Sequence, residues 1–305
     1  MERRTRTTLE SRLLTVIMKS MMPSLSLVIP AYNEAARLGN TLRVILQYLN
    51  EHYDKSELIV VDDGSSDATV KIARESFAGS GRVNTRLILN ERNCGKGRAV
   101  RVGLLAARAP VALFSDADLS TPVTEMPKLV GPLMRGECEV VFGSRALDRS
   151  LIGVHQPWRR EQGGKVFNEI VRLATGLPFR DTQCGFKAFR MGACRPIIEA
   201  ATIDRFGFDV ELLYVAQLAG LRLRECPVRW DHYDGSKVNV LRDSIRMLDE
   251  VRAIRRQARC GVYQEAIRAA SGHTTYEQEP QTIDSSLINA GDAGLGGVSF
   301  SASGI

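Results

Sequence analysis

Residues 113–122 read LFSDADLSTP. An apolar run stops at two carboxylates one residue apart, Asp116 and Asp118, and a Ser-Thr-Pro break follows. The apolar residues predict a buried strand, and the break predicts its end. In an extended chain residues i and i+2 share a side, so both carboxylates would face one point at the strand's tip. Two anions that close repel unless a cation or proton lies between them. A hard divalent ion, Mg2+ or Mn2+, suits an oxygen-only pair with no His or Cys nearby. A turn or helix-capping role would account for one of the two aspartates.

Working outward, strand-like runs occur at Leu25–Ile29, Leu58–Val61, Arg86–Leu89, Val111–Phe114 and Val140–Phe142. Between them lie helix-period segments at Leu38–Leu49, Thr69–Phe77, Arg98–Ala107 and Met126–Met134. Near-continuous apolar strands alternating with helices predict an α/β fold: a mostly parallel, Rossmann-like sheet with helices on both faces. Ligands on such sheets sit beyond the carboxyl ends of the strands. That places function at PAYNE, DDGSSD, NERNCGKG and DADLS, each of which follows a strand.

The second half is less regular. Val166–Leu173, Asp209–Ala219 and Val238–Gln257 read as helices and Leu221–Trp230 as a strand. Residues 1–22 form a basic leader expected to be frayed or amphipathic. Residues 263–305, small, polar and aperiodic toward the end, are expected to be a disordered tail. One domain, 23–262, remains, with a first half to 145 and a second half from 146.

The chain has 305 residues, with 41 basic against 35 acidic side chains. From Gln264 onward five acids face one base, so the first 263 residues hold +10. A basic body suits an anionic partner such as nucleic acid, an acidic membrane face or a phosphorylated substrate. Nucleic acid is disfavoured, because aromatics are 6%, no base-stacking motif occurs and acids cluster at the strand ends. Six cysteines without a C-x-x-C pair read as reduced thiols in a cytosolic compartment. No apolar run approaches the ~18 residues of a membrane span, so a soluble or surface-bound protein is expected.

Two further loops carry chemistry. In VVDDGSSD, Asp62 or Asp63 could accept from a base N–H or a ribose hydroxyl while Gly64 turns the backbone, and a plain β-turn is the alternative. NERNCGKGRAV is not a P-loop, because Asn90 stands where the first Gly would and Gly97 follows Lys96. Nor is it a dinucleotide fingerprint, because Val100 stands in the third position and the loop follows the third strand. It is a flexible loop whose Lys96 and Arg98 could reach a diphosphate, or else a solvated basic turn.

LVIPAYNEAARL, IVVDDGSSDAT, NCGKGRAVRVGL and DADLSTP, in this order, resemble the donor half of family 2 glycosyltransferases with the GT-A fold. The downstream GSRAL, FNEIVRLATGLPFRDTQCGFKAFR and RFGFDVELLYVAQLAGLRLRECPVRW resemble the dolichyl- and polyprenyl-phosphate β-glucosyltransferase branch. The resemblance implies that Pro30, Tyr32, Glu34, Asp62 and Asp63 hold the nucleoside. It implies that Asp116 and Asp118 bind the metal on a sugar-nucleotide diphosphate, with UDP-glucose the favoured donor. Transfer would proceed with inversion onto a polyprenyl phosphate. Mannosyl-transferring relatives often carry Gln two residues after the second Asp, where this chain has Ser120.

Transfer to a lipid phosphate needs no general base, because the monoester is already anionic near neutrality. The acceptor side should then be basic, and Arg145, Arg160 and Lys237 lie in family-like stretches. Asp181 and Gln183 would face the sugar or the acceptor phosphate, with a structural turn as the alternative. Asp209 and Glu211 open a helix, where acids favour the macrodipole regardless of function, and their family-like stretch RFGFDVELL leaves a sugar-side role as the alternative. A stripe of Leu241, Ile245, Leu248 and Val251 amid arginines could lie on the cytoplasmic face of an anionic membrane or pack on the core. Peripheral attachment or a membrane partner protein is expected. A soluble acceptor, or GDP-mannose as donor, is the competing reading.

Overall fold

Among the described residues, strands and helices follow in chain order: β1 (Leu25–Ala31), α1 (Leu38–His52), β2 (Ser56–Asp62), α2 (Thr69–Phe77), β3 (Asn84–Leu89), α3 (Lys96–Ala106), β4 (Val111–Ser115), α4 (Met126–Met134) and β5 (Val140–Ser144) come first. Then follow β6 (Ile152–Val154), α5 (Trp158–Thr175), β7 (Phe186–Arg190), α6 (Met191–Ala200), α7 (Phe208–Leu218), β8 (Leu223–Pro227), β9 (Trp230–Asp231), α8 (Val240–Arg259) and α9 (Gln264–Tyr276). This computed structural model describes residues 25–154, 156, 158–232 and 240–276.

Seven strands join one sheet in the order β3-β2-β1-β4-β7-β5-β8, and β6 pairs with β9. The large sheet is parallel except for β7, which runs antiparallel to both β4 and β5. Strand residues alternate between two cores, as a sheet covered on both faces demands. Leu27, Ile29, Leu58, Val60 and Leu113 pack beneath α1, α2 and α4. Val28, Ile59, Val61, Ala112 and Phe114 pack beneath α3 and the helices of the second half. Phe114 is fully buried and meets Phe208 at 5.7 Å between ring centroids, a contact that ties the first half to α7.

The first-half elements fall within three residues of their predicted limits, and α2 and α4 coincide with them. The second half differs more. β7 and α6 were not predicted, and the single strand expected over Leu221–Trp230 is two short ones, β8 and β9. The expected tail is corrected at its start: Tyr263 is fully buried, and Ala266 and Ala270 pack into the core from α9. These apolar side chains recur at helical spacing and bury one face, which the polar composition of the segment masks. Of the two readings left open for the α8 stripe, its described part supports packing on the core, while the side chains of Leu241 and Ile245 lie outside those described. Met247, Val251 and Ile254 are buried in the core, so over those turns the helix faces inward. The leader, residues 1–22, lies outside the described residues.

Candidate active site

The carboxyl ends of β1, β2 and β4 and the loop before α3 converge on one rim of the sheet. Asp116 and Asp118 reach it by a turn rather than by strand alternation. β4 ends at Ser115, the Asp116 N–H donates to the Gly185 carbonyl (3.1 Å), and the Leu119 N–H closes back on the Asp116 carbonyl (3.3 Å). Leu119 takes φ 51°, a left-handed conformation uncommon for a non-glycine residue. Asp118 Oδ1 accepts the Ser120 N–H at 2.9 Å, so Ser120 fixes the second carboxylate through its backbone. Gly185 on the neighbouring segment is required by space, because a Cβ there would lie 2.1 Å from Asp116 Oδ2.

Both acids are partly exposed and face cations. Lys96 Nζ lies 2.6 Å from Asp116 Oδ1, and Arg37 Nη1 lies 3.9 Å from Asp118 Oδ2. Burial alone would lower the Lys96 pKa, but the charges of Asp116, Asp209 and Asp118 outweigh it and raise it. Among the described residues no group of three His, Cys, Asp or Glu side chains converges as a closed metal site. The donor set is therefore two hard, accessible carboxylates with neighbouring ligand positions left to other oxygens. That set suits Mg2+ or Mn2+, which keep waters and share substrate phosphates.

The two acids of DDGSSD part company. Asp63 is consumed by the fold: Oδ1 accepts from Asn90 Nδ2 (2.8 Å) and the Cys94 N–H (3.0 Å), and Oδ2 from the Gly95 N–H (2.8 Å). It positions the Lys96 loop. Asp62 is 3% exposed, and its Oδ2 accepts from the Ser65 N–H, while its buried Oδ1 has no donor. Gly64 takes φ 72°, and a Cβ there would lie 2.5 Å from the Arg92 carbonyl carbon, so only glycine makes that turn. Pro30, next to last in β1, is half-buried, Tyr32 is 38% exposed, and the Glu34 carboxylate pairs with Arg37.

The second half supplies a cleft of about 520 Å3 lined by Arg145, Arg149, Arg172, Arg180, Gln183 and Trp230, among others. Arg145 and Asp181 are bound to each other there. Asp181 Oδ2 accepts from the Arg145 N–H (3.0 Å) and Nε (2.6 Å), and Oδ1 accepts from Nη2 (2.8 Å) and the Gln183 N–H (3.2 Å). Burial would raise the Asp181 pKa, but Arg145 holds it down at about 2. Both oxygens are thus occupied, which corrects the expectation that Asp181 faces substrate: it orients Arg145, whose guanidinium stacks 5.6 Å from the Trp230 ring centroid. Gln183 lines the cleft, with Nε2 donating to Met247 Sδ. Arg160 lies on α5 with its side chain outside those described, and Lys237 lies outside the described residues.

Sequence reasoning placed Asp209 and Glu211 at a helix start but did not find the partners they meet beneath the site. Lys187, on β7, is fully buried with Nζ 2.6 Å from Asp209 Oδ1 and donating to the Cys184 carbonyl (2.6 Å). Burial pushes the Asp209 carboxyl up against the pull of Lys187 and Lys96. A chain of alternating charge, Asp116, Lys96, Asp209 and Lys187, thus runs from the rim into the core. Glu211 is structural: it accepts from the Thr202 and Ile203 N–H groups (2.8 and 2.9 Å) and from the Tyr263 hydroxyl (2.6 Å). Glu225 also went unnoticed, and it accepts from Ser144 Oγ and the Asp181 and Arg180 N–H groups to anchor the cleft floor.

A doubly covered sheet with paired aspartates beyond a central strand, and a basic cleft beside them, defines a nucleotide-sugar transferase of the GT-A type. The family model described as "Glycosyl transferase family 2" matches residues 26–197, and the chain belongs to that family. It is similar to the dolichyl-phosphate beta-glucosyltransferase of Drosophila melanogaster, at 38% identity over 70% of this chain and 69% of that one. The human dolichyl-phosphate beta-glucosyltransferase is 34% identical over 73% of this chain and 72% of that one. Among solved structures, glucosyl-3-phosphoglycerate synthase from Mycobacterium tuberculosis in complex with Mn2+, UDP-glucose and phosphoglyceric acid shares the fold. It covers 80% of this chain and 83% of its own, with a TM-score of 0.56 and 22% identity.

Proposed function

We propose that this protein transfers glucose from UDP-glucose, with inversion, to dolichyl phosphate or a related polyprenyl phosphate. The observation that carries the reading is the juxtaposition of the Asp116/Asp118 pair, flanked by Lys96, with an arginine-lined cleft whose Asp181 carboxylate is bound to Arg145. The names of the relatives and the donor bound to the structural neighbour support the sugar and the nucleotide.

Asp62 Oδ1, buried and lacking a donor, suits the N–H of a pyrimidine base. Ala31, between Pro30 and Tyr32, stands opposite Asp62 in the β1–β2 register, and Glu34 with Arg37 closes the loop beside Asp118. Asp116 and Asp118 would hold Mg2+ or Mn2+, which supplies Lewis-acid neutralisation of the diphosphate. Lys96 stands beside Asp116 to share that charge, within reach of the same leaving group. The acceptor phosphate is its own nucleophile, so the protein has only to bind and aim it. Arg145, fixed in angle by Asp181 and Trp230, does this with the other cleft arginines, and Gln183 contributes an amide to the same wall.

Purified protein incubated with Mn2+ or Mg2+, a panel of nucleotide sugars and detergent-dispersed dolichyl phosphate tests the reading. UDP-glucose should give an organic-extractable glucolipid and UDP. Turnover only with water-soluble acceptors, or only with GDP-mannose, would overturn it. Among the described residues no helix is long and apolar enough to cross a membrane, and we infer peripheral association at a cytoplasmic membrane face.

A further inference from the structure

Nine large apolar side chains stand more than a third exposed among the described residues. Five of them, Leu147, Val154, Val166, Ile170 and Leu173, fall on the two segments bordering the cleft, residues 145–154 and α5. Scattered apolar exposure is ordinary on a surface, but concentration at one edge of a site is not.

α5 shows the arrangement most clearly. Val166, Ile170 and Leu173 follow at i, i+4 and i+7 and are 62%, 38% and 80% exposed. Phe167 and Val171, each one position further along, are buried in the core. Asn168, Glu169 and Arg172 line the cleft. A helix with one face in the core and one on the cleft thus presents a third, apolar face outward.

We propose that this stripe, with Leu147 and Val154, seats the protein on an anionic lipid bilayer, so that the prenyl chain of the acceptor passes from the cleft directly into the membrane. The proposal rests on the lipid-phosphate reading above. Charge selects the occupant: among the described residues, the cleft beside the stripe is lined by four arginines against two carboxylates, Glu169 and Asp181. Anionic headgroups around an apolar interior complement both features. A second copy of the chain packed across a two-fold axis would set arginines against arginines. The described part of the α8 stripe is spent in the core and cannot serve instead.

Co-sedimentation of the full chain with phosphatidylcholine–phosphatidylserine vesicles, without substrate, tests the surface. The parent should pellet, and Val166→Glu/Leu173→Glu should weaken binding about tenfold or more, because it removes two inserted apolar groups and adds charge against the headgroups. Both side chains are exposed and outside the cleft, so the variant should melt with the parent. It should also glucosylate a short, detergent-dispersed prenyl phosphate at the parental rate, while losing transfer to dolichyl phosphate held in vesicles. A parent that stays in the supernatant, or a variant that pellets equally, overturns the proposal. So does a parental dimer that the double substitution dissociates. If neither protein uses either acceptor but the vesicle difference persists, the acceptor reading fails while the surface stands.

Discussion

The two halves of the sheet build their parts of the site by different means. Toward the donor, Asp62 and Asp118 stand at or just beyond strand ends and are held by near neighbours: Asp118 by the Ser120 N–H, Asp62 by the Ser65 N–H. Toward the acceptor, side chains are held by ion pairs and hydrogen bonds between distant segments: Arg145 with Asp181, Lys187 with Asp209, Glu225 with the 180–181 backbone. A charge on a local loop can be removed without disturbing the sheet. A charge within a buried pair cannot, because its partner is left desolvated. Substitutions in the first region should cost chemistry, and substitutions in the second should cost the fold.

The sharpest contrast uses one residue from each. Asp116→Asn removes one anionic partner for a divalent ion and for Lys96 from a partly exposed turn. Glucosyl transfer should fall roughly 1,000-fold, about 4 kcal/mol of barrier, with melting shifted by no more than a few degrees. Comparable unfolding would erase the contrast. Lys187→Met should do the opposite, because it strands Asp209 beneath the sheet at a cost of about 3–5 kcal/mol. In a domain of this size that lowers the melting temperature by on the order of 10 °C, and Lys187→Met/Asp209→Leu should recover part of the loss. A Lys187→Met protein that melts with the parent would show that Asp209 finds another partner.

The Arg145–Asp181 pair gives an intermediate effect with a pH signature. Its folded pKa of about 2 lies below the ordinary 3.8 for aspartate. A lowered carboxyl pKa stabilises the fold fully above the unfolded value, and the benefit disappears as pH falls from about 4 through 2. The shift corresponds to roughly 2 kcal/mol at neutral pH. Asp181→Asn should therefore cost about that much at pH 7 and flatten the acid limb of a denaturant-midpoint curve. Equal acid sensitivity in both proteins would place the lost protonation elsewhere.

These differences also explain what could be read from the sequence. Strands β1 to β5 were legible because a doubly covered parallel sheet leaves nearly unbroken apolar runs. The rim loops were legible because polar clusters after such runs mark strand ends. β7 was not, because Lys187 interrupts Phe186–Arg190 with a residue type that rarely lies inside. α6 carries Gly192 at its second position and Pro196 within, which hides its periodicity. Among site residues, Asp63 and Asp181 were found but their tasks were not. Whether a carboxylate meets substrate or a neighbouring N–H depends on partners 27 to 36 residues away, which spacing does not encode. The outward stripe of α5 was hidden for a related reason, since Val166–Leu173 is apolar on two faces and only packing separates them.

The smallest expected effect probes the boundary of the acceptor half. Tyr263 lies beyond the predicted end of the domain, yet it is fully buried and donates to Glu211 at 2.6 Å. Burial and the adjacent Glu211 carboxylate both push its pKa up, so the hydroxyl keeps its proton throughout the stable pH range. Tyr263→Phe keeps the ring and removes one donor from a carboxylate that still accepts from Thr202 and Ile203. The cost should be about 1 kcal/mol, a single hydrogen bond to a group that stays otherwise satisfied. Donor affinity should be unchanged, because Glu211 keeps the Thr202 and Ile203 N–H bonds that hold the 202–203 turn in place against the Lys96 loop. A loss of 3 kcal/mol or more, roughly the penalty for an uncompensated buried charge, would mean that Glu211 depends on the hydroxyl as Asp209 depends on Lys187. α9 would then belong to the ion-paired framework of the acceptor half rather than resting on its surface.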